Sequence, residues 1–169
     1  MELKTIGVIL VVIGCSMVGF KMAADYRRKI ASYGDLIGIL NYMECELNYR
    51  LTPLPQLCRL SAEHGKSLEV LFNHFADEMD AQVSTDTACC MDAAIHKSER
   101  LCSTMESFLR ELGCSFGKFD LEGQLSGINS VRQKCIQQLH ELEKDKHLRI
   151  RNYQTLSMCA GIALAILLI

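Results

Sequence analysis

Apolar residues recur three or four positions apart along the last third of the chain, residues 120–169. This spacing places them on one face of an α-helix: Leu121, Leu125, Ile128, Val131, Cys135, Leu139 and Leu142. The pattern then crosses a charged segment, residues 144–151, and ends in residues 153–169, which carry no charge. The sequence therefore predicts one continuous helix that runs from a folded domain into a membrane.

The beginning of the chain has a similar uncharged run, residues 5–20, which lies between Lys4 and Lys21. As a helix with a rise of about 1.5 Å per residue, it would be roughly 24 Å long. The two lysines can extend to the interfaces, which helps the helix to span a hydrocarbon core of about 30 Å. We interpret this run as an uncleaved transmembrane helix. The alternatives are a cleaved signal peptide and a lipoprotein signal around Cys15.

An apolar stripe extends the first helix to about residue 50: Tyr26, Ile30, Tyr33, Ile37, Leu40 and Leu47. Pro53 and Pro55 then end this helix and begin the next, because proline is tolerated in a first helical turn but not in a helix interior. Short helices are predicted at residues 54–63, 68–81, 85–97 and 98–113. The expected caps are Ser67 and Ser84 for two of these helices and Asp120 for the last long one.

The predicted fold is therefore all-α, a helical bundle of about six helices whose first and last members are long and continue into two terminal transmembrane segments. Two prolines, eight methionines and no tryptophan suit such a protein. The predicted boundaries are residues 1–22 for the first transmembrane segment, 23–151 for the helical domain and 152–169 for the second transmembrane segment.

The distribution of charge predicts the orientation in the membrane. The net charge of −2 is close to neutral, so nothing indicates a nucleic-acid partner. Basic residues lie on the domain side of both uncharged runs. These residues are Lys21, Arg27, Arg28 and Lys29 after the first run, and Lys144, Lys146, Arg149 and Arg151 before the second. The positive-inside rule therefore places residues 21–151 in the cytoplasm of a two-span protein of the cell membrane.

The nine cysteines do not form a disulfide pattern, because their number is odd and no C-x-x-C pair occurs. We interpret them as reduced residues that act as small apolar side chains in a reducing cytoplasm. Cys89, Cys90 and His96 come closest to a metal-ligand set. Adjacent cysteines on a helix point about 100° apart, however, so we expect no metal and no cofactor.

The sequence contains neither a glycine-rich phosphate loop nor a G-x-S-x-G nucleophile motif. We therefore expect no enzymatic activity and no small-molecule substrate. The acidic cluster Asp77, Glu78 and Asp80 is interpreted as a solvated helix face. An acid/base pair and a docking patch for a basic partner are the alternatives.

Glu44 lies close to the apolar stripe of the first helix, so its carboxylate needs a partner. Arg132 or Lys134 on the last helix could supply it, and the carboxylates of Glu44 and Glu46 are either structural or partner-facing.

The small residues Gly7, Gly14 and Gly19 also offer surfaces on which the two terminal helices could pair. The same holds for the Gly161-x-x-x-Ala165 step in the second run.

Three stretches of the chain together resemble a known family. The first is Glu44-x-Glu46-Leu-Asn-Tyr49 followed by Thr52-Pro53-Leu54-Pro55, and the second is Leu112-Gly113-x-x-x-Gly117-x-x-Asp120-x-x-x-Gln124. The third is the basic helix that passes through Tyr153 into a final run rich in glycine, alanine and leucine. In this order, between two terminal membrane helices, they resemble the stage III sporulation protein AB family. One departure is Cys114-Ser115-Phe116. The family commonly has an apolar residue such as leucine directly before the second glycine, where this chain has the aromatic Phe116.

The resemblance implies a membrane protein of endospore-forming bacteria that acts during engulfment. Its soluble domain would be similar to the cytoplasmic domains of F-type inner-membrane proteins of type II secretion and type IV pilus systems. Such a protein would be a non-enzymatic scaffold of the secretion-like complex that links mother cell and forespore. Its expected partners are the ATPase-like stage III sporulation protein AA and other membrane components of that complex. Its expected location is the mother-cell side of the outer forespore membrane.

Two helix junctions carry the family motifs. By position, the first junction contains Glu46, Tyr49, Thr52, Pro53, Leu54 and Pro55, and the second contains Gly113, Gly117, Asp120 and Gln124. We expect both junctions to lie together at the membrane-distal end, where they would meet the ATPase. The alternative is that these residues serve only folding, because glycine and proline have backbone reasons to occur at helix junctions. Two other functions remain open: an exported lipoprotein or tethered binding protein unrelated to sporulation, and a redox or metal sensor.

Overall fold

The computed structural model describes residues 2–50, 52–81, 86–98, 101–116 and 120–168. Within helices it leaves the side chains of residues 2–12, 15, 147, 165, 167 and 168 undescribed. The helices of the described part are α1 (Glu2–Tyr49), α2 (Leu54–Ala62), α3 (Glu69–Asp80), α4 (Thr87–Lys97), α5 (Ser103–Ser115) and α6 (Leu121–Leu168). The predicted all-α class, with long first and last helices and short ones between, is confirmed.

The chain forms two compact units. The terminal unit comprises Met1–Ile30 and Glu141–Ile169, and the central unit comprises Ala31–His140. Both long helices, α1 and α6, therefore contribute to each unit. The proposed boundaries of a domain at residues 23–151 stay a prediction.

The core of the central unit is built from apolar residues of all its helices. Helices α2 to α5 pack each against the next. Tyr33 of α1, Phe72 and Phe75 of α3, and Phe116 at the end of α5 are fully buried. The rings of Phe75 and Phe116 stack with their centroids 6.3 Å apart. Each large apolar side chain buried in this way stabilises the fold by roughly 1.5–3 kcal/mol.

The predicted apolar faces of the long helices are confirmed only in part. In the stripe of α1, Ile30, Tyr33, Leu40 and Leu47 are buried, whereas Ile37 is only half-buried. In α6 the buried positions of the predicted stripe are Ile128, Val131 and Cys135, and the rest of the stripe is exposed or half-buried on either side of them. Within the predicted stripe, burial is thus restricted to these middle turns, and Gly161, farther along α6, is buried as well.

Three local predictions about the short helices are corrected. Ser67 does not cap α3; its backbone N–H and its hydroxyl both donate to Oδ2 of Asp35, at 2.8 and 2.6 Å. Helix α5 begins at Ser103 rather than Ser98, and it continues past Gly113 to Ser115. Ser84 lies outside the described residues, and the N-cap that the structure describes for α4 is Asp86, which accepts from the Ala88 N–H at 3.1 Å.

The acidic cluster on α3 pairs with basic residues of its neighbours. Arg59 of α2 contacts Asp77 and Asp80, and Lys97 of α4 contacts Glu78. Most of these side chains are well exposed, and such pairs contribute only about 0–1 kcal/mol each. The predicted solvated face is therefore also a surface of ion pairs between α3 and its two neighbours.

The cysteines are free wherever the structure describes them, but only some lie in the core. Cys58, Cys90 and Cys135 are buried, whereas Cys45, Cys89, Cys114 and Cys159 are exposed. Their interpretation as small apolar core residues is therefore correct for the first three and wrong for the four exposed ones, Cys102 is half-buried, and the side chain of Cys15 lies outside the described part.

Alkaline pH is expected to destabilise the central unit through its buried thiols. Burial, assisted by the negative charge of Glu111, raises the pKa of Cys135 from 9.0 to about 12. The unfolded thiol ionises above its ordinary pKa while the folded thiol stays protonated. The free energy of unfolding is therefore highest below the pKa of the unfolded Cys135 thiol. It falls as the pH rises from there toward the pKa of the folded thiol. Through Cys135 alone, a rise from about pH 8 to about pH 10 should lower the free energy of unfolding by about 1.4 kcal/mol.

Urea unfolding of the wild type and of Cys135→Ala at both pH values measures this effect. The variant should lose less stability than the wild type on the same pH change. Cys89→Ala, which removes an exposed thiol, is the matched control and should retain the wild-type pH dependence. Equal losses in the wild type and Cys135→Ala would contradict the prediction.

The terminal unit joins the outer parts of α1 and α6. The hydroxyl of Tyr26 donates to the backbone carbonyl of Leu142 at 2.9 Å. A β-carbon added at Gly19 would overlap Oγ of Ser157 and lie 2.7 Å from its Cβ, whereas one added at Gly14 would meet nothing within 4 Å. Of the small residues expected to support helix pairing, Gly19 therefore does so and Gly14 does not, whereas the side chains at positions 7 and 165 lie outside the described part.

Large apolar side chains are exposed along both helices of the terminal unit. On α1 they are Ile13, Met17, Val18, Phe20 and Met22, and on α6 they are Leu148, Leu156, Met158, Ile162, Leu164 and Ile166. Over the residues that the structure describes, no helix has a segment both long and apolar enough to cross a membrane. The two predicted transmembrane segments therefore stay a prediction.

Candidate docking site

A cleft of about 270 Å³ in the central unit brings the two helix junctions together. It is lined by Leu47 near the end of α1, Thr52 and Leu54 around the turn into α2, and Leu121 and Gln124 in the first turns of α6. Three of the residues that the sequence motifs predicted, Thr52, Leu54 and Gln124, thus line one cleft. We call this cleft the junction cleft.

Proline determines the shape of the turn between α1 and α2. The last bond of α1 runs from the Arg50 N–H to the Glu46 carbonyl, at 2.8 Å. Pro53 has φ −55° and ψ 140°, an extended conformation that ends the helix, and its carbonyl accepts from the Leu57 N–H at 2.9 Å to begin α2. Pro55 lies in the first turn of α2, where its missing N–H leaves no helical bond unmade. This turn holds Leu54, half-buried, at the edge of the cleft.

Glu46 ties the end of α1 to the same turn. Its Oε2 accepts a hydrogen bond from the hydroxyl of Thr52 at 3.2 Å. Partial burial, together with the carboxylate of Glu46, raises the pKa of Tyr42 above its ordinary value. The Tyr42 ring stacks on His64 with the ring centroids 4.2 Å apart. The Glu46 carboxylate therefore has intramolecular partners and helps to hold Thr52 at the cleft.

Asp120 starts α6 on the other side of the cleft. Its Oδ1 accepts from the Gly123 N–H at 3.0 Å, and its carbonyl accepts from the Gln124 N–H at 3.0 Å. The predicted N-cap is confirmed, and a carboxylate at this position also interacts favourably with the helix dipole. The cap fixes where the helix begins, and so it positions Leu121 and Gln124 at the cleft.

Two large side chains at the helix ends of the two junctions are exposed to solvent. Tyr49, the last residue of α1, is 84% exposed, and Leu121 is 38% exposed. Exposed aromatic residues are typical of protein–protein contacts, because they bury a large area on binding. Sequence reasoning assigned Leu47 and Leu121 to the apolar core stripes and did not place them at a site. The signal available was their position, next to the two motif-bearing junctions.

Gly113 lies elsewhere in the central unit. It is buried in α5 against α4, where an added β-carbon would lie 2.7 Å from Cβ of Met91 and 3.4 Å from the carbonyl oxygen of Thr87. The Thr87 hydroxyl donates to the Gly113 carbonyl at 2.8 Å. Gly113 therefore serves the close packing of α4 on α5 and does not line the junction cleft. Gly117 lies outside the described residues.

Glu44 pairs with Arg132, one of its two predicted partners. The same guanidinium donates to Asn41 at 3.0 Å and to Asn129 at 2.8 Å. The other predicted partner, Lys134, instead contacts both carboxylate oxygens of Glu111, at 2.6 and 2.7 Å. The Glu44–Arg132 pair, which is only part-exposed, therefore joins α1 to α6.

The part of the chain described in the structure contains no group of three or more histidine, cysteine or acidic residues that could hold a metal ion. The residues that line the junction cleft, three leucines with Thr52 and Gln124, offer apolar contact and hydrogen bonding.

Comparisons with known proteins agree over nearly the whole chain. A family model described as stage III sporulation protein AB matches residues 4–169. Stage III sporulation protein AB of Bacillus subtilis (strain 168) is 24% identical over 170 residues, which cover 98% of this chain and 99% of that protein. A solved structure of a stage III sporulation protein AB superposes with a TM-score of 0.63 at 18% identity, over 72% of this chain and 98% of the solved chain. At this identity the structural likeness shows the fold.

Proposed function

This chain belongs to the stage III sporulation protein AB family, and on that premise we propose that it is a non-enzymatic membrane scaffold that docks an assembly ATPase through the junction cleft. Family membership supports a role in sporulation. We further propose that the chain acts as a scaffold in the secretion-like complex between mother cell and forespore. Its partner there would be an ATPase resembling stage III sporulation protein AA. The observation that carries it is the junction cleft, where Thr52 and Leu54 of the first junction lie beside Gln124 of the second.

The dimensions of the cleft favour a protein partner. Small-molecule sites typically enclose about 300–1,000 Å³, and the junction cleft, at about 270 Å³, lies below that range. Its apolar floor, formed by Leu47, Leu54 and Leu121, can accept one or two apolar side chains of a partner. Tyr49, which is 84% exposed at the end of α1, is a further candidate contact residue because it is large and rigid.

The exposed apolar surface of the terminal unit supports attachment to a membrane. Soluble proteins rarely expose extended apolar surface unless it contacts a membrane or another protein. We propose that residues 1–22 and 152–169 anchor the chain in the cell membrane, with the basic residues that flank them on the cytoplasmic side. In the sporulating cell this would be the mother-cell side of the outer forespore membrane. Anchoring would hold the central unit within reach of a soluble ATPase.

A charge placed in the junction cleft is expected to weaken ATPase binding about thirtyfold, the effect of losing a contact of hot-spot size. Leu121→Asp is the suitable variant. Position 121 is the first residue of α6, where an aspartate interacts favourably with the helix dipole, so folding should be retained. Binding is measured between the purified full chain in detergent and a purified ATPase that resembles stage III sporulation protein AA.

Val70→Asp is the matched control. Val70 is 62% exposed and lies in the first turn of α3, so the same change there adds a charge in a similar helical position away from the cleft. The control should bind the ATPase as the wild type does. If Leu121→Asp unfolds like the wild type and also binds like it, the docking site is not at the junction cleft.

A further inference from the structure

A second cleft, in the terminal unit, is lined by three cations. It encloses about 610 Å³, and its described lining consists of Arg27 from α1 together with Lys146, Leu148, Ile150, Arg151 and Gln154 from α6. None of these residues is acidic. We call it the basic cleft.

The three cations of the basic cleft have no partner in the ion pairs found within the described residues. Asp145, the sequence neighbour of Lys146, is instead engaged by Arg149, whose guanidinium donates to it at 3.2 and 3.3 Å. The lining therefore presents uncompensated positive charge, which suits an anionic ligand.

An apolar cleft of about 360 Å³ adjoins the basic one in the same unit. Its lining includes Phe20 of α1 and Met158 and Ile162 of α6, and Gln154 lines both clefts. Along α6 the basic residues Lys146 and Arg151 therefore come first, and the apolar residues Met158 and Ile162 follow them toward the C-terminus. A ligand that fills both clefts must carry a negative charge at one end and a hydrocarbon chain at the other.

The segment of α6 between Arg151 and Ile162 is about as long as one leaflet of a bilayer. Helix α6 is continuous between Arg151 and Ile162, and a rise of about 1.5 Å per residue makes this segment roughly 16 Å long. Half of a hydrocarbon core of about 30 Å is roughly 15 Å. A lipid whose phosphate lies at Arg151 would therefore have its acyl chain beside Met158 and Ile162.

We propose that the two clefts together form a binding site for one anionic phospholipid. The phosphate contacts Arg27, Lys146 and Arg151, and an acyl chain packs along the surface of Phe20, Met158 and Ile162. Free inorganic phosphate could use only the basic cleft, so the adjoining apolar cleft favours the lipid. The inference rests on the membrane anchoring proposed above. A bound lipid would link α1 to α6 at the membrane surface and set the depth of both helices.

The test titrates the purified full chain, in detergent, with phosphatidylglycerol, phosphatidylcholine or inorganic phosphate and follows its thermal unfolding. Phosphatidylglycerol should raise the midpoint of unfolding, whereas the other two should not. Removing two cations with Arg27→Gln and Arg151→Gln should weaken the apparent affinity for phosphatidylglycerol about thirtyfold. The matched control, Lys21→Gln with Lys144→Gln, removes the same charge from exposed positions outside the basic cleft and should bind as the wild type does.

Three outcomes would overturn the lipid site. Inorganic phosphate that stabilises the protein as well as phosphatidylglycerol would show an anion site without a lipid. Equal losses of affinity in both double variants would show general attraction to an anionic surface. Unchanged affinity in the Arg27 and Arg151 double variant would show that the cleft is not used.

Flotation of the full chain with phosphatidylcholine vesicles distinguishes these failures from a failure of the proposed anchoring. A chain that floats with the vesicles but shows no preference for phosphatidylglycerol is anchored without the lipid site. A chain that does not float at all contradicts both the anchoring and the lipid site.

Discussion

Replacing Gly113 with leucine should lower the free energy of unfolding of the central unit by about 3 kcal/mol or more, because the new side chain has no room. A β-carbon at this position would lie 2.7 Å from Cβ and 3.2 Å from Cγ of Met91. A Cβ atom is attached directly to the backbone, so Met91 can move away only if α4 moves. Such a shift would also break the hydrogen bond from the Thr87 hydroxyl to the Gly113 carbonyl.

Gly34→Leu is the matched control for Gly113→Leu. Gly34 is exposed on α1, and a β-carbon added there meets nothing within 4 Å. Leucine is a better helix former than glycine by roughly 0.8 kcal/mol, so this variant should be slightly more stable than the wild type. Urea unfolding followed by circular dichroism measures both changes. If Gly113→Leu is as stable as Gly34→Leu, the packing of α4 on α5 does not need the glycine.

The Gly113→Leu variant also shows whether this motif residue is needed for folding or for binding of the ATPase. Gly113 does not line the junction cleft, so we expect Gly113→Leu to lose ATPase binding only as far as it loses folded protein. Leu121→Asp, in contrast, should lose binding while it stays folded. The two ends of the second motif would then have different roles, Gly113 in the packing of α4 on α5 and the first turn of α6 in partner contact.

Replacing Gly19 with leucine should separate α1 from α6 in the terminal unit. An added β-carbon would overlap Ser157 and lie 3.0 Å from the backbone carbonyl oxygen of Tyr153, which cannot rotate away. The rest of a leucine side chain would enlarge the clash. We expect a loss of about 3 kcal/mol, which corresponds to a drop of roughly 6–12 °C in the unfolding midpoint for a chain of this size. Thermal unfolding of the full chain in detergent measures it.

Gly14→Leu controls for the added apolar surface in the Gly19 experiment. It makes the same chemical change in the same helix, but at a position that faces open space. Its unfolding midpoint should stay within a few degrees of that of the wild type, which corresponds to about 1 kcal/mol or less. Equal midpoints for Gly19→Leu and Gly14→Leu would show that the contact between Gly19 and Ser157 does not hold the two helices together.

The sequence by itself determined the features that depend on neighbouring residues. The spacing of apolar positions predicted both long helices, and Pro53 and Pro55 predicted the turn that ends α1 in the central unit. The side chain of Asp120 predicted the start of α6, because an N-cap bonds to its own first turn. Local signals were wrong where a distant residue intervened: Asp35, far along the chain, takes the hydrogen bonds that would have made Ser67 a cap.

Only the tertiary structure decided which distant residues meet. A helical stripe specifies which face is buried, but not the partner or the axial register of the helices that cover it. For this reason the sequence offered Arg132 and Lys134 equally to Glu44, and the packing of α1 against α6 selected Arg132. The same packing brought Leu47, Leu54 and Leu121 into one cleft and left Gly113 beneath α4. The candidate site therefore lies where two junctions converge, a feature that depends on how the helices cross.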